Sequence, residues 1–215
     1  GLADLKGKKI GVTAPGSSTN MVVSFSLAKH GLKASDVSII GVGAGAGAVT
    51  ALRSGQIDAI SNTDPVVSML EMPGDIQIIV DTRTLKDTQD IFGGNMPAGC
   101  LYAPQAFIDA NPNTTQALAN ALVRADKWIQ KAGADEIAKA VPETYLLGDP
   151  AVYKAAIAKS LEGLSPDGMI PEDGAATALK ALAAYQADFD GSKIDPSKVW
   201  TNDYARRANE KYPNG

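Results

Sequence analysis

The chain has 215 residues, 45% of them hydrophobic and 20% charged, with a formal net charge of −4 at pH 7. That length can bury one sizeable core or two modest ones, and the acidic balance offers no basic patch for a phosphate backbone, which argues against nucleic-acid binding. No apolar run reaches the length of a membrane-spanning helix, and the single cysteine and single histidine exclude an intrachain disulfide, a cysteine zinc cluster and a locally spaced Cys–His nucleophile pair.

Residues 10–12 form a short apolar run that ends in a Pro-Gly turn at Pro15 and Gly16. Ser17, Ser18 and Thr19 follow. Met21, Val22, Phe25 and Ala28 then repeat at helical spacing, and Gly31 stands where a helix would stop. Strand, turn and helix start in that order leave several backbone N–H groups without partners at one point. Hydroxyls beside them, with the positive end of the helix dipole, make a seat for a carboxylate, sulfonate or similar oxyanion. The plainer alternative is that Ser17 or Ser18 only caps the helix. His30, at the helix end, suits the last carbonyls.

Residues 37–40 read as a second strand. Gly41-Val-Gly-Ala-Gly-Ala-Gly-Ala48 follows and leads into a helix through Leu52 that ends near Gly55. Residues 57–61 read as a third strand, Asp64-Pro65 opens another helix, and residues 76–80 read as a fourth strand. This alternation predicts an α/β unit with a largely parallel sheet and helices on both faces.

At Gly93-Gly94-Asn95-Met96-Pro97 the character changes, and the domain boundary is expected there. Residues 98–102 form a last strand candidate, with Cys100 as a small buried filler. Beyond it the chain is chiefly helical. Asn113 and Gln116 resemble a capping box, ahead of an apolar face of Leu118, Leu122, Ala125 and Ile129 that ends near Gly133. Residues 151–161 and 171–189 read as two more helices. The polar tail from 193 to 212 is expected to dock through Val199 and Trp200. Phe25, Trp128 and Trp200 fit core positions.

Gly41-Val-Gly-Ala-Gly-Ala46 also fits the dinucleotide fingerprint, which raises an NAD-dependent oxidoreductase. That fingerprint needs an acidic residue at the end of the next strand. Asp58 stands at the start of its strand instead, and the far end carries Ser61-Asn62-Thr63, so this reading ranks low and no cofactor is expected. The glycines serve a tight turn and close approach of a ligand.

Three stretches together carry a family resemblance: Asp4-Leu-Lys-Gly-Lys-Lys-Ile-Gly-Val12 with Pro15-Gly-Ser-Ser-Thr19, then Ala51-Leu-Arg-Ser-Gly-Gln-Ile-Asp-Ala59. Phe107-Ile-Asp-Ala-Asn-Pro-Asn-Thr114 and Ile194-Asp-Pro-Ser-Lys-Val199 fit the same pattern. In this order they resemble the nitrate/sulfonate/taurine type of ABC-transporter substrate-binding proteins. The resemblance implies a two-lobed periplasmic-binding-protein-like α/β fold, periplasmic or lipid-anchored. It also implies capture of a small, anionic solute and delivery to an ABC permease in the inner membrane, with no enzymatic activity. In that family the opening segment follows an N-terminal stretch that begins lobe one. Residues 1–97 are therefore expected to be lobe two, and residues 98–215 the mostly helical C-terminal part of lobe one, with its N-terminal part absent and apolar edges left open.

On that resemblance the ligand cleft lies at strand C-terminal ends, faced by residues 17–20, 43–46, 62–64 and 81–84. Ser17, Ser18, Thr19 and Asn20 would hold an acidic head group, and Asn62 and Thr63 would supply neutral hydrogen bonds. Asp64 is a candidate as well, although Pro65 marks it as a helix cap. Arg83 is the one arginine just after a strand and so the candidate for a charged grip on an anion. Asn95 and Met96 sit in the interlobe connection. A branch of this fold that makes a thiamine pyrimidine relies on a cysteine-rich motif and histidines, which this chain lacks. The alternative within the same architecture is the effector domain of a bacterial transcription regulator.

Overall fold

A computed structural model describes residues 1–146, 149–186 and 188–214. The first apolar run becomes strand β1 (Lys9–Val12), which pairs in parallel on both of its sides. Ile10 and Gly11 stand opposite Ile39 and Ile40 of β2 (Ser38–Gly41) on one side, and opposite Ala59 and Ile60 of β3 (Ala59–Ile60) on the other. The sheet order is β2-β1-β3.

Helix α1 (Ser18–Lys29) connects β1 to β2, and α2 (Ala46–Arg53) connects β2 to β3. Val23 and Leu27 of α1 close over Ile10 and Val12 in one core cluster. A second cluster joins Ala48 and Val49 of α2 to Val66 and Leu70 of α3 (Val66–Glu71), with Val42 and Ile60 packed against it. Apolar layers on both faces are what a parallel sheet requires. Gly11 makes the second layer possible: a Cβ there would stand 2.5 Å from Ile57 Cδ1 and 3.1 Å from Val42 Cγ2. Its bare backbone lets those two side chains meet over the central strand.

The remaining elements are helical: α4 (Leu85–Phe92), α5 (Gln105–Ala110), α6 (Pro112–Ile129), α7 (Ala134–Ala140), α8 (Pro150–Ser160), α9 (Gly174–Tyr185) and α10 (Asp203–Lys211). Backbone contacts divide the chain into two units, Gly1–Thr82 with Ala138–Lys159 and Arg83–Ile137 with Ser160–Gly215. In the first, Lys159 of α8 pairs with Glu71 of α3 at 2.6 Å. In the second, α10 packs along α6 and buries Ala208 completely. The boundary expected after residue 97 falls inside the second unit. Segment 83–97 is tied there by Leu85 N–H on Glu162 Oε1 (3.0 Å), and by Asn95, whose N–H and Nδ2 donate to the two oxygens of Asp173 (3.0 and 2.9 Å).

Several expectations are corrected. Residues 76–80 and 98–102 are not strands. A strand needs a neighbouring backbone, and the sheet stops at β3. Ile76 contributes only its side chain, to the second cluster. The 98–102 stretch lies between Pro97 and Pro104 with Tyr102 88% exposed, and Cys100 is exposed rather than buried. Pro112 at the first turn starts α6 ahead of the expected Asn113–Gln116 box. Gln116 instead donates to Asn120 Oδ1 and to the Tyr204 carbonyl. On α6 the buried residues are Thr115, Ala119 and Val123, whereas Leu118, Leu122 and Trp128 are exposed. Val123 packs against the backbone at Gly168, and Gln116 meets α10 through its bonds to Tyr204 and Arg207. Val199 is exposed, and the tail is held instead by Asn202, which bonds both the N–H and the carbonyl of Ile170 at 2.9 Å, and by α10.

The reassigned face of α6 makes a direct test. Val123→Ala should destabilise the protein by about 1–3 kcal/mol, and Leu122→Ala by no more than about 0.5 kcal/mol, in urea denaturation. Equal losses would restore the expected face. The Asn95–Asp173 tie makes a second. The Asn95 side-chain amide, then its backbone N–H, hold the Asp173 carboxyl below its ordinary value of 3.8. A lowered folded pKa adds stability that is present above that value and lost as pH falls through the folded one. Asp173→Asn should therefore lower stability modestly near neutrality, where the tie contributes, and flatten the acid limb so that variant and parent converge below about pH 4. An unaltered acid limb would count against the tie.

Candidate functional site

The turn between β1 and α1 is built from hydroxyls. Thr13 follows the strand, and its Oγ1 donates to Ser17 Oγ at 3.0 Å. Thr19 Oγ1 lies 2.9 Å from Thr13 Oγ1 and 2.8 Å from Ser17 Oγ. Three oxygens, each within hydrogen-bond reach of the other two, close a ring. Ser17 also caps α1 by accepting Asn20 N–H at 3.4 Å. Thr19 takes the N–H of Thr13, and Asn20 Oδ1 takes that of Gly16, both at 3.0 Å. Thr19 and Asn20 are buried by these contacts.

Ser18 differs from its neighbours. It is exposed, and its hydroxyl has no partner among the described residues. The N–H groups of Ser18 and Thr19, in the first turn of α1, likewise have no acceptor among the described residues. They point along the helix axis out of its positive end.

Because all three strands run parallel, the loops after them emerge at one edge. Ser61 Oγ donates to the Thr19 carbonyl at 3.0 Å and joins the β3 loop to the start of α1. Asn62 Nδ2 donates to the Gly43 carbonyl at 2.9 Å and joins it to the loop after β2, where Gly43 has φ +75°. Asn62 Oδ1 accepts Thr63 N–H, and Thr63 is exposed with an unpartnered hydroxyl among the described residues. Asp64 Oδ1 accepts both the N–H and the Oγ–H of Ser68, which anchors the first turn of α3. With sheet order β2-β1-β3, the chain runs from β1 out to β2 and then back across β1 to β3, so the strand order reverses beside β1 and these loops flank that topological switch point.

Ser17, Ser18, Thr19, Asn20, Asn62, Thr63 and Asp64 thus gather in the first unit, with the glycine loop beside them. Arg83 and Asn95 belong to the second unit: Arg83 precedes Thr84, the cap of α4, and Asn95 Oδ1 accepts from Gln89 at 3.0 Å while its N–H groups serve Asp173. Thr13 was missed by sequence reasoning, although its place just after the strand was a usable signal. Asp58 accepts the N–H of Lys9 at 2.8 Å, which puts it at the opposite edge of the sheet from the glycine loop and out of reach of a ribose seated there. His30 Nδ1 lies 3.0 Å from the Ser26 carbonyl, the helix-end role expected of it. Among the described residues no group of three or more His, Cys, Asp or Glu side chains is placed to hold a metal ion.

A solved structure from Bordetella bronchiseptica RB50 is 87% identical, with a TM-score of 0.91 over all of this chain and 67% of that one. The alkanesulfonate-binding protein SsuA of Xanthomonas axonopodis pv. citri, solved with MOPS bound, shares the fold at 23% identity. Its TM-score is 0.62 over 96% of this chain and 64% of that one. A Brucella abortus (strain 2308) protein, named by inference as a binding protein, is 28% identical over 129 residues. That match spans 59% of this chain and 38% of the Brucella protein's length. The α/β architecture is therefore of the periplasmic-binding-protein type, with a parallel-sheet unit and a mainly helical one. Residues 2–142 match the sequence model of the NMT1-like family, and the chain belongs to that family.

Proposed function

We propose that this chain is the ligand-binding part of a solute receptor that captures a small anion of the sulfonate or nitrate kind and passes it to an ABC permease in the inner membrane. The observation that carries this reading is the open start of α1. Two N–H groups and the Ser18 hydroxyl, unpartnered among the described residues, open the helix at the C-terminal end of β1, and Ser61 ties that turn to the loop carrying Thr63, whose hydroxyl is likewise unpartnered among them. An oxyanion accepts several such donors at once, and the helix dipole favours its charge. The neighbouring Thr13–Ser17–Thr19 ring and the Ser61 and Asn62 bridges hold the donors in place before a ligand arrives, so little ordering entropy is lost on binding.

The role is binding rather than catalysis. The hydroxyls of the ring are occupied with one another, and His30, the one histidine, serves the far end of α1. A place outside the cytoplasm, in the periplasm or at a lipid anchor, goes with delivery to a permease. The MOPS in the Xanthomonas neighbour belongs to that protein; it supports testing sulfonates first.

Titration calorimetry of the 215-residue chain with short alkanesulfonates and nitrate, against a neutral alcohol of equal size, tests the reading. A saturable heat for one of the anions and none for the alcohol is expected. Ser18→Ala should weaken it by about 2 kcal/mol, the scale of one hydrogen bond to a charged group. Full affinity in both Ser18→Ala and Thr63→Ala, with the fold intact, would move the site elsewhere.

A further inference from the structure

Within the second unit, α6 and α10 leave between them an open groove of about 450 Å³, lined by Asn113, Gln116, Asn120, Tyr204, Arg207 and Lys211 among others, with no carboxylate in its lining. Arg207 and Lys211 stand one turn apart on α10. Other cations of the tail are neutralised close by. Arg206 pairs with Asp203 at 2.7 Å, Lys193 with Asp190 at 3.2 Å and Lys198 with Asp195 at 3.3 Å. Among the described residues neither Arg207 nor Lys211 forms such an ion pair; Arg207 acts on Asp203 only through space, behind Arg206.

Arg207 is also held in position. Its Nε donates to Gln116 Oε1 at 2.7 Å, and its guanidinium lies 4.5 Å from the centroid of the Tyr204 ring. Gln116 is fixed in turn by Asn120 Oδ1 and the Tyr204 carbonyl, each 2.9 Å from its Nε2. One edge of the guanidinium is thus spent on orientation, and the terminal Nη groups remain for a planar acceptor such as a carboxylate. Lys211, one turn on, has no hydrogen-bond acceptor among the described residues; its Nζ lies 5.4 Å from the Tyr212 ring centroid.

We propose that this groove is a docking surface for an acidic segment of a partner protein, with carboxylate side chains spaced to meet Arg207 and Lys211. The exposure of both cations decides between an acidic segment and a lone ion. A small anion in an open, hydrated groove gains little against screening by salt. A chain segment presents several carboxylates in sequence, so each contact after the first is made at high effective concentration. The amides of Asn113 and Asn120 and the phenol of Tyr204 add neutral hydrogen bonding along the same track. This site is independent of the one at the strand ends.

The test titrates the ¹⁵N-labelled chain with blocked hexaglutamate, with hexaglutamine and with inorganic phosphate at low ionic strength, reading amide shifts. Hexaglutamate should move resonances of the 112–120 and 204–211 stretches, and hexaglutamine should not. Affinity should fall about tenfold in Arg207→Gln, the loss of one charge-assisted contact. Lys211→Gln, which sacrifices no bond to α6, should weaken binding with an unchanged melting temperature, and Lys193→Gln should leave it unchanged. Affinity in both the Arg207 and Lys211 variants as high as in the unsubstituted chain, shifts spread over the other lysines, or phosphate binding as tightly as the peptide would each overturn the proposal.

Discussion

The double pairing of β1 is the constraint on which the first unit depends. A strand of four residues holds two parallel neighbours and must be covered above and below. Ile10 and Val12 fill the face toward α1, which leaves Gly11 alone on the other. The missing side chain at Gly11 is therefore a packing device: Ile57 and Val42 occupy its place, and α2 and α3 settle over them. Because β1 is central, its C-terminal end is the point where the β2 and β3 loops meet the first turn of α1.

At that point nearly every side chain that looks available for a ligand is already engaged. Ser17, Thr19, Asn20, Asn62 and Asp64 close turns, cap helices or bridge loops. Buried hydroxyls would be costly without partners, and the ring with Thr13 gives each of them two. What this leaves outward is chiefly backbone N–H. Fixed dipoles of this kind need no reorganisation to face an anion, and their direction is set by the helix rather than by a rotamer.

Much of the first unit was legible because its elements are punctuated: Pro15-Gly16 before α1, Gly31 and Gly55 after α1 and α2, both with positive φ where the helix ends. Residues 17–20 and 62–64 were readable as one locus for the same reason, since parallel order puts their loops on one edge. What was not legible depended on neighbours. Residues 76–80 and 98–102 have strand-like composition, but composition supplies no pairing partner. On α6 two apolar stripes compete, and the larger side chains pointed to Leu118 and Leu122. The face that is buried is set by segments far away in sequence, α10 and the loop at Gly168, against which Val123 packs. Thr13 was overlooked because a residue ending a strand reads as part of the strand until its side chain is seen to turn back toward the helix.

The two units present positive potential in physically different ways. At the start of α1 the turn's hydrogen-bond partners among the described residues are hydroxyls and amides, and the outward groups are partial charges on N–H groups placed by the hydroxyl ring. Such a site discriminates by geometry, since its donors bond only to an acceptor within about 3 Å and lose little to dissolved salt at that range. Along α10 the charges are whole, exposed and one turn apart, with only Arg207 tightly oriented. A surface of that kind attracts from a distance, tolerates imprecise fit and weakens steeply as ionic strength rises. The first arrangement suits selection among small solutes of similar charge, where a net positive field would accept all of them. The second suits recognition of a chain, where register comes from repeated contacts rather than from enclosure. An overall charge of −4 is compatible with both, because neither depends on the sign of the whole molecule, only on donors that no carboxylate bonds among the described residues.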